Sequence, residues 1–180
     1  MPNDLVTASG LAHLPGSPFS DAQVDGAVAA LRRCLGWHIA PVRSETFLLD
    51  TLPMDDVLRL PTRKLATVVQ IRRGSDDSVY AASTYEISFS RARIRRKGTY
   101  WPAGYAAVEV DVTHGFTTCP LELLAPLGQV IVATRRDRSI KSVHVVDSET
   151  TYGLAAALFE SLLDESVLAS YRVDNLPGTA

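Results

Sequence analysis

The apolar pattern of the chain changes period at residue 37 and changes back near residue 119. Val24, Ala27, Val28, Leu31 and Leu35 recur at three- and four-residue spacing, so they share one helical face. Ser20 followed by Gln23 is the capping-box signature, Asp21 suits the positive end of the helix dipole, and Phe19 stands where it can staple against Val24. Gly36 offers a left-handed C-terminal cap. The pattern predicts a helix over 21–35. Beyond it the period is two. Residues 37–42, 44–50, 57–60 and 64–72 read as extended, the last rich in β-branched side chains, and 74–78 as a turn. Tyr85, Ile87 and Phe89 alternate inward, then Ala92 and Ile94 take over the apolar face. That change of parity predicts a turn or bulge at Ser90-Arg91, and Lys97-Gly98 ends the hairpin. In the next strand Ala106, Val108, Val110, Val112 and His114 lie on one face, with Glu109, Asp111 and Thr113 on the other, a half-buried antiparallel pattern.

A second helix is expected over 119–136. Pro120 suits its first position, Glu122 complements its dipole, and Leu121, Leu124, Leu127, Ile131 and Arg135 define its faces. Pro126 and Gly128 inside it predict a bend near 124–128. Residues 140–146 read as extended. A last helix is expected over 154–171, with a break at Asp164 and an apolar stripe of Leu158, Phe159, Leu162, Leu163, Val167 and Leu168. Residues 1–20, punctuated by Pro2, Gly10, Pro15, Gly16 and Pro18, read as an N-terminal arm with room for one helical turn at 11–14. Residues 174–180 read as a C-terminal tail. The order implies an α+β fold. N-terminal, central and C-terminal helices form a small helical core, and an antiparallel β-sheet or sandwich (37–114) is inserted into a single domain, 21–173.

Composition changes this picture little. A chain of 180 residues, 46% hydrophobic and 21% charged, suits one domain with a real core. A formal net charge of −2 gives no global argument for nucleic acid or membrane binding. No run of about 18 apolar residues is present, so no membrane span is expected. The N-terminus lacks a signal pattern, and two cysteines make no disulfide framework, so a reducing cytoplasm is the default.

Catalytic signatures are missing: no Gly-x-Ser-x-Gly elbow, no phosphate-cradling glycine loop, no Gly-x-Gly-x-x-Gly and no His-Glu-x-x-His. No enzymatic activity and no cofactor are expected. Cys34, His38, His114 and Cys119 are the one metal-like set, able in principle to close a tetrahedral zinc site, although their spacings do not match the usual short Cys-x2–4-Cys signature. The plain alternative is a small buried thiol at Cys34 and a hydrogen-bonded core histidine at His38. Arg91, Arg93 and Arg95 alternate along one strand beside Arg96 and Lys97. They could touch phosphates, or protect a solvated edge strand against pairing. Tyr100-Trp101-Pro102 reads as core packing or as an interface anchor. Gly36, Trp37, His38 and Pro41 read as a structural junction between helix and β region, with Trp101, His114 and Pro120 as further structural positions.

Taken in order, Pro18-Phe19-Ser20-Asp21-Ala22-Gln23-Val24-Asp25, Gly36-Trp37-His38-Ile39-Ala40-Pro41-Val42, Leu60-Pro61, Tyr100-Trp101-Pro102, Val112-Thr113-His114-Gly115-Phe116, Cys119-Pro120 and Tyr171-Arg172 resemble the head-to-tail adaptor (head–tail connector) proteins of long-tailed phages, especially those of actinobacterial hosts. The resemblance spans about residues 17–175. It implies a structural virion protein that forms a dodecameric ring below the portal, extends the channel for packaged double-stranded DNA, and meets a downstream stopper or connector. It implies residence in the virion, and in the host cytoplasm during assembly, with no membrane partner. Leu168, Tyr171, Arg172, Leu176 and Pro177 become candidate portal or partner contacts. Arg91, Arg93 and Arg95 become candidates for the DNA channel or for inter-subunit contact.

Overall fold

The computed structural model describes residues 4–137, 157–163 and 165–173. The expected α+β class is what it shows: helices together with two three-stranded antiparallel sheets. The chain divides into two compact units. One runs to Pro41 and resumes from Thr117 to Arg172; the other is Val42–Phe116 together with Val173.

In the helical unit, α1 (Asp21–Leu35) is closed at its start by the capping box. Gln23 N donates to Ser20 Oγ at 3.4 Å, and Ser20 N donates to Gln23 Oε1 at 3.0 Å. Gly36 is left-handed at φ 81°, and its N–H returns to Arg32 O at 2.8 Å. These local devices explain why the helix stops where the periodicity does. Its five predicted apolar positions are all buried, with Ala30 and Cys34 beside them. On the opposite side Gly26 costs helix stability without a packing reason, since a Cβ there would meet nothing within 4 Å. Gly26→Ala is therefore expected to raise stability by about 0.5–1 kcal/mol in urea unfolding; an unchanged or lowered midpoint would show that this face is covered.

The next helix, α2 (Leu121–Asp137), is assigned as one helix with Pro126 inside it. Gly128 serves packing: an added Cβ would lie 2.9 Å from Leu14 Cδ1. The buried positions of α2 are Leu123, Leu127, Val130 and Ile131, whereas Leu121 is exposed, so its inner face is rotated from the one expected. Arg135 ties α2 to the start of α1, donating to Gly16 O, Pro18 O and Gln23 Oε1. Residues 157–162 are helical (α3), and α4 (Glu165–Tyr171) follows; the break expected at Asp164 lies outside the described residues. Phe159 and Leu163 are buried, while Leu162 is exposed. Within the first twenty residues, a short 3-10 turn (Ser9–Leu11) buries Leu11 completely, and Leu5 is buried as well. The extended segment expected at 140–146 lies outside the described residues.

The β unit contains β1 (Arg43–Thr51), β2 (Val57–Arg59), β3 (Leu65–Arg73), β4 (Tyr85–Ser88), β5 (Arg93–Arg96) and β6 (Gly104–His114). One sheet has the order β1-β6-β3 and the other β2-β5-β4, all antiparallel. A single apolar cluster joins their inner faces, including Phe47, Leu49, Leu58, Ile71, Ile94, Trp101, Val108 and Val110. The β6 alternation holds for Val108, Val110, Val112 and His114. Ala106 departs from it: it is exposed, left-handed at φ 45°, and donates its N–H to Asp50 Oδ1 at 2.7 Å. Residues 37–42 are not a strand. Ile39 is left-handed at φ 72°, and Arg32 holds the segment by donating to His38 O and Ala40 O. Phe89 leaves the core for the 89–92 turn and is 49% exposed.

Candidate functional site

The two thiols are buried or half-buried. Burial raises both pKa values, that of Cys119 to about 11, against the opposing pull of Arg32. They are therefore neutral at ordinary pH. Among the described residues neither cysteine joins a set of three His, Cys, Asp or Glu donors close enough to share an ion. The four-residue zinc set is not brought together. His38 is buried and hydrogen-bonded through Nε2 to Pro41 O at 2.9 Å, with its ring edge-on to Trp37.

His114 is also buried. Its Nε2 lies 2.9 Å from Glu45 Oε2, and its ring packs edge-on against Phe47. Burial lowers the His114 pKa despite the carboxylate. Burial alone would raise that of Glu45, but the hydrogen bonds from His114 and Arg43 outweigh it and lower the value. The consistent state is a neutral imidazole donating to an ionised carboxylate. Both folded-state values lie below their unfolded ones, so the unfolded chain binds more protons on acidification and stability falls with pH. The His114 contribution is lost as pH drops below the ordinary 6.5, and that of Glu45 below 4.5. Denaturant titrations at about pH 7.5 and about pH 5.5 are expected to show this loss, and His114→Gln to remove it between those values. An unchanged slope in the variant would assign the pH dependence to other groups.

Trp37 is 6% exposed, and its Nε1 donates to Tyr171 O at 2.6 Å. Tyr171 in turn donates its hydroxyl to Glu122 at the start of α2. Arg172 pairs with Glu160 at 3.4 Å, and Leu168 is half-buried. Leu176 and Pro177 lie outside the described residues. Pro120 immediately precedes α2, and its carbonyl accepts from Leu123 N. Trp101 is buried, donates from Nε1 to Asp56 O, and stacks edge-on with Tyr80, while the Arg96 guanidinium lies 4.3 Å from the Tyr80 ring centre.

The arginine row sits differently from its expected place. Arg93 and Arg95 are on β5, the middle strand of β2-β5-β4, and Arg91 is in the 89–92 turn, so edge protection does not explain them. Sequence reasoning passed over Arg59, which is the direct cross-strand partner of Arg93. Only the strand register could have revealed that pairing. It also passed over Arg32, whose place in the last turn of α1 was the available signal.

The geometry defines packing and polar surfaces within an α+β fold. No protein-family model and no curated protein matches the chain. Solved structures do match its fold. The chain is similar to one in the neck of a native GTA (gene transfer agent) particle computed with C12 symmetry, at 20% identity, covering 89% of this chain and 85% of that one, with TM-score 0.53. It is similar to one in the neck of an empty GTA particle computed with C6 symmetry, at 21% identity, covering 98% of each chain, with TM-score 0.55. A chain in the virion of a native GTA particle matches at 18% identity, covering 97% of this chain and 93% of that one, with TM-score 0.58. Among the described residues, no helix is long and apolar enough to cross a membrane.

Proposed function

We propose that this chain is a structural neck protein of a phage-type virion, a head-to-tail adaptor without enzymatic activity. It forms a ring beneath the portal, extends the DNA channel, and joins the capsid to the next connector or stopper. The observation that carries this reading is the fold shared along nearly the whole chain with neck chains of gene transfer agent particles. The C12 and C6 symmetries of those necks favour a closed homo-oligomer, twelve-fold at its largest. Such a ring uses heterologous contacts, so each subunit needs two different faces. The β unit supplies apolar surface for that purpose: Leu48, Leu52, Met54 and Tyr105 are each more than 60% exposed.

In this reading Leu168, Tyr171, Arg172, Leu176 and Pro177 belong to the surface that meets the portal or another partner, and the N-terminal arm adds inter-subunit or portal contacts. The protein works in the virion and passes through the host cytoplasm during assembly. Particles assembled without it are expected to accumulate as DNA-filled heads beside unattached tails, visible by electron microscopy. Tailed, infectious particles formed in its absence would overturn the reading.

A further inference from the structure

We propose that the outer face of the β2-β5-β4 sheet grips the phosphate backbone of duplex DNA through Arg59, Arg91 and Arg93, without reading its sequence. Arg59 and Arg93 are direct antiparallel partners, which places their Cβ atoms about 4.5–5.5 Å apart. Both are exposed. Like charges placed directly opposite destabilise a sheet, and neither guanidinium has a carboxylate partner among the described residues.

The other end of the same face is compensated. Arg95 pairs with Asp56 at 3.0 Å and Lys97 with Glu86 at 3.7 Å. The sheet's carboxylates thus neutralise one end and leave the Arg59–Arg93 end open. Arg91, exposed in the adjoining turn, adds a third cation to that end. A phosphate diester can accept from two guanidinium forks at once and relieve their repulsion.

The residues sharing this face with the arginines, as their cross-strand partners, are Val57, Glu86 and Ser88. None is an aromatic platform for base stacking, so the contact is with the backbone. Phe89 is exposed nearby, in the turn. An aromatic beside arginine is also what a protein interface uses, which makes Phe89 the discriminating residue. The biological setting, DNA passing through a neck, rests on the function proposed above; the phosphate chemistry does not.

The test is fluorescence anisotropy of a labelled random-sequence DNA duplex with the full chain, from about 50 mM to about 200 mM salt. Wild type is expected to bind in a salt-sensitive, sequence-independent way. Arg59→Gln with Arg93→Gln should weaken binding at least about tenfold and lower the slope of log affinity against log salt by about two. Phe89→Ala should bind like wild type. The double variant loses a like-charge pair, so it should unfold no earlier than wild type, which separates lost binding from lost fold. No binding by wild type at low salt, or equal binding by the double variant, would overturn the proposal. So would loss of self-association in the arginine and Phe89 variants with DNA binding unchanged, because the face would then meet protein. Ring formation, scored separately by sedimentation, distinguishes the two readings: absent rings with intact DNA binding would fail the neck function alone.

Discussion

Trp37→Ala is expected to destabilise the fold by about 3–5 kcal/mol, the range for removing a large buried aromatic ring. The ring is 6% exposed, meets His38 edge-on with centroids 5.7 Å apart, and donates to Tyr171 O at 2.6 Å. Its loss leaves a cavity after α1 and removes a partner from the last residue of α4. In a domain of this size, about 1 kcal/mol moves the melting temperature by about 2–4 °C, so the variant should melt about 10 °C lower. Trp37→Phe keeps most of the apolar contact and loses only the N–H, at a cost of about 1–2 kcal/mol. A change under about 1 kcal/mol in the alanine variant would mean that the ring holds nothing together.

Gly74→Ala is the second large effect, about 3 kcal/mol by the cost of overpacking. A Cβ at Gly74 would sit 1.8 Å from Ala106 O and 3.0 Å from Ala106 C. These are backbone atoms, and they cannot swing aside as a side chain does. Ala106 is fixed in a left-handed conformation, with its N–H bound to Asp50. Gly74 itself donates to Ala107 O at 2.9 Å, so retreat in either direction breaks a hydrogen bond. Urea unfolding checks this: a midpoint within error of wild type would show that the strand end moves freely.

What was legible in the sequence was local. The capping box, Gly36 and the three- and four-residue spacing define α1 from neighbouring residues alone. The strict alternation over 108–114 does the same for β6. What was hidden depends on pairing between distant segments. Residues 64–72 read only as an extended, β-branched run; the ladder of β3 to β6 shifts register between Val68 and Gln70, and Val69 is 68% exposed. Register irregularities of this kind also protect an edge strand. The central place of β5, the Arg59–Arg93 pair and the close approach of Leu14 to Gly128 follow from topology, which periodicity does not encode. The same holds for residues 37–42: their alternation suggests a strand, while Arg32, reaching back from α1, holds the carbonyls of His38 and Ala40 in a different path. The phage-connector resemblance rests on an ordered set of short motifs, and the chain shares its fold with gene transfer agent neck chains.

The most direct measurement is the mass and symmetry of this protein in neck complexes isolated with the portal. A closed homo-oligomeric ring is expected, twelve copies for the C12 arrangement, seated against the portal. A protein that stays monomeric and shows no affinity for the portal would contradict it.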